Sequence, residues 1–302
     1  MFTTNANYAK GLVITAIGGL ALTVDIPLIL LADGDPWSIV MLRSGTTFLA
    51  SIAIWLIWAL VRKNPPTLIP GRAGLLVAAL YGAASVTFVM AVFHTSTANL
   101  VFILAFNTVF ASLLGWLFLG ERPRTATMVA MAFMLGGVSI IVLDGLGRGS
   151  IVGDLFAVAS SILLASAITV TRASAKDMGF AALMAFALPA LLGVVMVSQV
   201  GFRVEQPLWV LLTGIIVLPL SFFCLATGPK YISGPEVAMF YLLETVLTPV
   251  WVWMIFAEVP TTASLIGGTI LVVTLIAHSV WALISARQAP TRQDEPVSET
   301  HV

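Results

Sequence analysis

The chain alternates between long apolar stretches and short polar breaks. Ten of the stretches hold about 20 or more mostly apolar residues, enough for a helix to cross a bilayer. They run Gly11–Leu31, Trp37–Val61, Gly74–Phe93, Thr97–Leu119, Arg124–Leu143, Ile151–Thr171, Gly179–Val200, Leu208–Thr227, Pro235–Phe256 and Thr261–Ser285. The breaks between them include ADGDP, RKNPP, GERP, DGLGRGS, GFRVEQP and GPKYISGP. Gly, Pro, Asp and Asn in such clusters are turn residues. The stretches predict helices because a bilayer offers no water to unpaired backbone groups. They are too long for membrane strands, which need about 9–11 residues, and they do not alternate. The polar start MFTTNANYAK leads into an apolar run too long for a signal core, with no small-x-small cleavage site after it. That run is therefore expected to stay as the first span. The polar, Pro-containing end predicts a disordered tail over 286–302.

Composition supports the membrane reading. Of 302 residues, 59% are hydrophobic and 9% charged, against about 25% charged in a typical soluble domain. Net charge is zero, so no bulk field draws nucleic acid. One cysteine, Cys224, excludes an internal disulfide framework and a multi-thiolate metal site. Lys and Arg then orient the chain. With ten spans, one side holds Lys10, Arg62, Lys63, Arg72, Arg122, Arg124, Arg172, Lys176, Lys230, Arg287 and Arg292. The other holds only Arg148 and Arg203, while Arg43 lies inside a span. The basic side is cytoplasmic, so residues 1–10 and the tail are both expected in the cytoplasm.

A weak internal repeat organises the spans. Moving the chain by 137 residues places Glu121 on Glu258 and Pro123 on Pro260. The register holds without a gap from His94 to Gly137, matching Thr108 with Thr245, Trp116 with Trp253 and Thr125 with Thr262. Each half, 11–143 and 151–285, then holds five helices. Five is odd, so the second half enters from the opposite side, as in inverted-repeat secondary transporters with a midplane site. Pro and Glu in GERP and AEVP suit helix starts, where free N–H groups favour negative charge.

Two five-helix halves, each with a Gly/Ala-Glu-x-Pro turn after its fourth helix, resemble the drug/metabolite transporter superfamily in its EamA-type branch. Gly153-Asp154-Leu155, opening the sixth helix, resembles that family's second-repeat start. Within the superfamily the chain looks most like the YddG-type exporters of aromatic amino acids and of organic cations such as methyl viologen. The resemblance implies an all-α fold of ten transmembrane helices, a bacterial inner membrane, and a cavity between the third, fourth, eighth and ninth helices.

Ionisable groups in a membrane are costly and face the bundle interior. Glu244 stands nine residues into the ninth span, roughly 14 Å deep at about 1.5 Å per residue. Its repeat partner is Asn107, also central. Tyr241 and Phe240 precede Glu244 by three and four residues, on the same helix face. A carboxylate beside aromatic rings suits an ammonium group; the alternative is a helix–helix hydrogen bond. Asp25 and Arg43 sit at matching depth and could pair, gate or touch substrate. Pro27 weakens the helix beside Asp25. Tyr81, Ser85, Phe88 and Val92 share a face of the third span, and Asn99, Phe102 and Phe106 a side of the fourth. Lining a cavity and ordinary packing both fit such stripes. Phe222 and Phe223, near Pro219, are weaker candidates for the lining. His94 and His278 are expected at the solvated interfaces, and Gly267-Gly268 at a close helix contact.

Metalloprotease, nucleophile-elbow and P-loop motifs are absent from the sequence. No enzyme activity, cofactor or metal is expected. The expected function is a secondary transporter, functional as a monomer in the lipid bilayer, exporting small amphipathic metabolites such as hydrophobic amino acids and organic cations. A passive pore or a structural subunit is the alternative.

Overall fold

A computed structural model describes residues 5–61, 65–95, 100, 103–104, 106–145, 151–256 and 262–288. The described elements are helical: α1 (Asn5–Leu22), α2 (Asp25–Ala32), α3 (Pro36–Val61), α4 (Gly71–His94), α5 (Asn107–Leu119), α6 (Thr125–Gly145), α7 (Ile151–Ser174), α8 (Gly179–Met184), α9 (Ala187–Val200), α10 (Pro207–Leu212), α11 (Leu218–Thr227), α12 (Gly234–Phe256) and α13 (Thr262–Gln288). Seven helical stretches are long and apolar enough to cross a membrane. Shorter apolar helices cover Asn107–Leu119, Thr125–Gly137 and Leu265–His278. Among the described residues, extended pairing is limited to one bridge, Gly34 with Val204. The last helix runs to Gln288, past the expected end at Ser285. The rest of the expected tail lies outside the described residues.

Prolines set where the long helices break. A proline ring clashes with the carbonyl four residues earlier and cannot donate to it. Pro27 acts on Thr23, and Thr23-Val24 is the turn between α1 and α2. Pro189 acts on Ala185, and Ala185-Phe186 is the turn between α8 and α9. Pro219 acts on Ile215, which sits in a π-helical turn, Thr213–Val217, joining α10 to α11. The π turn absorbs the lost bond with one wider loop. By contrast, α12 stays helical through Pro249, so a proline does not always end the ladder.

Small residues decide which helices touch. Lipid tails are as apolar as leucine, so membrane helices associate through close packing. The main helix pairs are α4 with α7, α6 with α13, α3 with α9, α1 with α11, α5 with α7, α1 with α12 and α5 with α12. A Cβ on Gly193 would lie 2.6 Å from the Met41 backbone, and one on Gly137 would lie 2.9 Å from the Gly267 carbonyl. The Gly267 contact is the close approach expected of the Gly267-Gly268 pair. Outward faces carry exposed Leu, Ile and Val along α3, α9 and α13, which suits lipid.

The first Glu-x-Pro turn differs from its expected form. Gly120 ends α5 in the left-handed region at φ 66°, and its N–H bonds the Trp116 carbonyl. The next helix starts at Thr125, with Arg124 accepting its first backbone bond. Pro123 therefore precedes the helix rather than opening it. Glu121 accepts from Arg172 Nε at 3.1 Å, tying the turn to α7. The charge on Glu121 is satisfied by a cation, not by the α6 terminus. The second turn, Glu258 with Pro260, lies outside the described residues.

Gly193→Val should separate α3 from α9. The expected loss is about 1–3 kcal/mol of stability, the range for overpacking a close contact. Gly45, where an added Cβ meets nothing within 4 Å, supplies the control. Thermal unfolding in detergent should fall for Gly193→Val and hold for Gly45→Ala.

Candidate functional site

Helices from the N- and C-terminal parts of the chain line a cavity. It holds about 680 Å³ of non-atom space, its mouth included. Its wall is mostly apolar, with Leu22, Ile26, Phe88, Leu104, Leu164 and Phe222. The polar part consists of Asp25, Arg43, Ser85, Asn107, Ser160, Tyr241 and Glu244.

One polar group is a closed ion pair. The break after α1 makes Asp25 the first residue of α2, where a carboxylate suits the free N–H groups. Arg43 reaches it from the second turn of α3. Arg43 Nη2 donates to Asp25 Oδ2 at 2.5 Å and Nε to Oδ1 at 3.2 Å. Its Nη1 donates to Ser85 Oγ on α4 at 3.0 Å. The Phe88 ring centre lies 5.9 Å from the guanidinium carbon. The two charged side chains are 2% and 1% exposed. The fork therefore joins α2, α3 and α4. Pairing and geometry make this buried charge tolerable.

The other polar group is unsatisfied. Neither amide atom of Asn107 nor the Glu244 Oε1 atom has a hydrogen-bond partner among the described residues, and the Tyr241 hydroxyl has only that of Tyr81 beside it. All three residues are buried, Asn107 to 1% and Glu244 to 8% exposure. Asn107 opens α5; Tyr241 and Glu244 lie three residues apart on α12, which packs on α5. Native structures leave few such groups, because each costs about 1–3 kcal/mol.

The expected residues separate by place. Asp25, Arg43, Ser85, Phe88, Asn107, Tyr241 and Glu244 share the cavity wall. Phe222, a weaker expectation, also lines it. Tyr81 lies behind that wall, 1% exposed, its ring meeting Phe222 edge-on at 5.5 Å. Phe186 meets the other side of Phe222 at 4.9 Å. Phe240 is buried with its carbonyl toward Gly19 of α1. Phe106 forms the turn before α5, its N–H bonded to the Ile103 carbonyl. Asn99 and Phe102 lie outside the described residues. His94 is exposed and bonds the Met90 carbonyl. His278 differs from expectation: it is 7% exposed and meets Thr127 Oγ1 at 3.1 Å between α13 and α6. A partner on another helix replaces interfacial water there.

Ser160, Leu164, Leu104, Leu22, Ile26 and Ala84 line the cavity without having been anticipated. Their types carry no chemical signal. Helical spacing offers the one route to some of them: Leu104 stands three residues before Asn107, and Leu22 three before Asp25.

Residues 10–143 match the EamA-like transporter family. Two curated relatives are pseudopaline exporters CntI of Pseudomonas aeruginosa, from strains UCBPP-PA14 and PAO1. Each is 26% identical over 240 residues, covering 77% of this chain and 84% of its own. A solved crystal structure of a protein matches 94% of this chain and 99% of its own, with a TM-score of 0.73 at 15% identity. That likeness concerns the fold. The family match covers residues 10–143, and seven described helical stretches are long and apolar enough to cross a membrane. These two relatives are named as pseudopaline exporters and not as the YddG-type exporters expected from the sequence.

Asp25→Ala should strand the Arg43 charge. The expected loss is about 3–5 kcal/mol, as for breaking a buried pair from one side. The double variant Asp25→Leu with Arg43→Met should recover most of it. Monodisperse yield and thermal midpoint in detergent would show both effects.

Proposed function

We propose that the chain is a secondary transporter that exports small amphipathic metabolites across the bacterial inner membrane. Its cargo would be hydrophobic or aromatic amino acids and organic cations, held in the central cavity and released by alternating access. The observation that carries this reading is the set of unpartnered polar atoms on Asn107, Tyr241 and Glu244 in a mostly apolar wall. A site that awaits a polar ligand has a reason to leave such groups unsatisfied. Packed positions here leave some hydroxyls unpartnered, Ser221 and Thr248 among them, but no amide or carboxylate among the described residues.

The helix pairing supports ten spans in two inverted halves. Exchanging spans one to five with spans six to ten turns the pair of spans one and eight into spans six and three. Those are α1 with α11, and α7 with α4. The pairs α3 with α9, α5 with α12 and α6 with α13 each map onto themselves. This is the pattern of a two-fold axis between the halves, with Asn107 and Glu244 as images of each other. Broken helices around a shared site are common in inverted-repeat carriers. The relatives named as pseudopaline exporters support export of a small metabolite as the direction and class of activity.

In reconstituted vesicles, phenylalanine counterflow should be saturable. Unsaturable flux would indicate a pore, and no flux a structural subunit. Glu244→Gln and Tyr241→Ala should each reduce the exchange rate about tenfold or more, the effect of losing one charge-assisted contact. Parent-like exchange by both variants would remove the proposed site.

With Cys224 replaced, single cysteines at Lys63 and Arg203 should label from opposite sides of the membrane, Lys63 from the cytoplasm. Labelling of both from one side would overturn the orientation.

A further inference from the structure

The cavity's charges and hydrogen-bonding atoms define its cargo more narrowly than size and apolarity do. Three charged side chains line it: Asp25, Arg43 and Glu244. Asp25 and Arg43 neutralise each other through a two-point fork, and Ser85 takes a further guanidinium donor. Both are almost fully covered. Glu244 has no cation of its own, and no salt bridge to it exists among the described residues. Among the described residues, the one charge left for cargo to answer is therefore a carboxylate.

The neighbours of that carboxylate sharpen the demand. Glu244 Oε1, Asn107 Oδ1 and the oxygen of the Tyr241 hydroxyl, which sits beside that of Tyr81, are three acceptors without a described donor, and Asn107 Nδ2 is one bare donor beside them. A primary ammonium carries one positive charge and three N–H donors. A quaternary ammonium carries the same charge and no donor. Desolvating the quaternary ion would answer Glu244 electrostatically yet leave the three acceptors unsatisfied. Sites built to hydrogen-bond a group reject analogues that lack it, because their own polar atoms are left bare. The remaining wall, with Leu22, Ile26, Leu104, Leu164, Phe88 and Phe222, takes an apolar body.

We infer that the recognised feature of the cargo is a primary ammonium group on an apolar or aromatic body, bound by Glu244, Asn107 and Tyr241. A carboxylate on the cargo is not required, because Arg43 is already engaged by Asp25. The inference rests on the transporter reading and narrows its cargo. Amino acids remain cargo through their ammonium group, whereas permanently methylated cations do not.

The experiment uses the full-length protein in vesicles with labelled phenylalanine exchange as the readout. Phenylethylamine and N,N,N-trimethylphenylethylammonium, equal in charge and ring, serve as competitors. Phenylethylamine should inhibit at least about tenfold more strongly, the ratio expected from losing hydrogen bonds to a charged group. In Glu244→Gln, phenylethylamine should lose that advantage. Saturable phenylalanine exchange with the two competitors equal would leave the carrier standing and overturn the ammonium assignment. Absence of saturable exchange with every compound would overturn the carrier reading and this inference together. The comparison on the unaltered protein does not depend on any variant folding.

Discussion

The absence of water from the hydrocarbon core governs this structure at every scale. Backbone groups must be satisfied within each segment, so the described elements are helices. Polar side chains face the same demand, and many meet it locally. Thr15, Thr47, Ser51 and Thr169 each return their hydroxyl to a carbonyl four residues back. Arg43 cannot meet it locally and recruits Asp25 and Ser85 from two other helices. Against that background, Asn107, Tyr241 and Glu244 stand out because they share a cavity and leave polar atoms bare. Buried hydroxyls away from the cavity also lack partners, but the unpartnered amide and carboxylate atoms among the described residues are on its wall.

The same constraint explains how the wall is assembled. Asp25 and Ile26 come from a short helix separated from α1 by the Pro27 break. Phe222 follows the π turn upstream of Pro219, and its ring is held between Tyr81 and Phe186. Breaks in hydrogen bonding thus fall in helices that supply cavity residues. The turn between α1 and α2 is braced from the second half, where Trp251 Nε1 donates to Thr23 Oγ1 at 2.9 Å. The two ends of the bundle carry further ties between halves. Tyr8 meets Glu236 at one end, and Thr95 meets Asp154 at the other.

Much of the site was legible because charge is rare in this chain. Asp25, Arg43 and Glu244 could be singled out by depth alone, and Asn107 by its register with Glu244. Proline positions announced the break beside Asp25. The small and apolar lining was not legible, since Ser160 and Leu164 look like any other residues of a membrane helix. Tyr81 shared a helical face with Ser85 and Phe88, yet one turn of depth put it behind Phe222. His278 was misjudged for a different reason. Its partner, Thr127, is 151 residues away, and sequence distance hides such pairs. Phe106 marks a turn with no proline or glycine beside it to signal the change.

The Asp25–Arg43 fork also bears on how the chain enters a membrane. A lone aspartate or arginine at a helix centre costs about 2.5–3.5 kcal/mol on insertion scales. Each of the first two spans carries one such residue nearer an end than the centre, at less than that cost, and each holds the other's counter-ion. The two spans are joined by only three residues, Asp33 to Asp35. They are thus suited to cross as a hairpin, with opposite charges cancelling during insertion rather than after it. On this view the ion pair belongs to the biogenesis of the first hairpin before it belongs to the finished cavity.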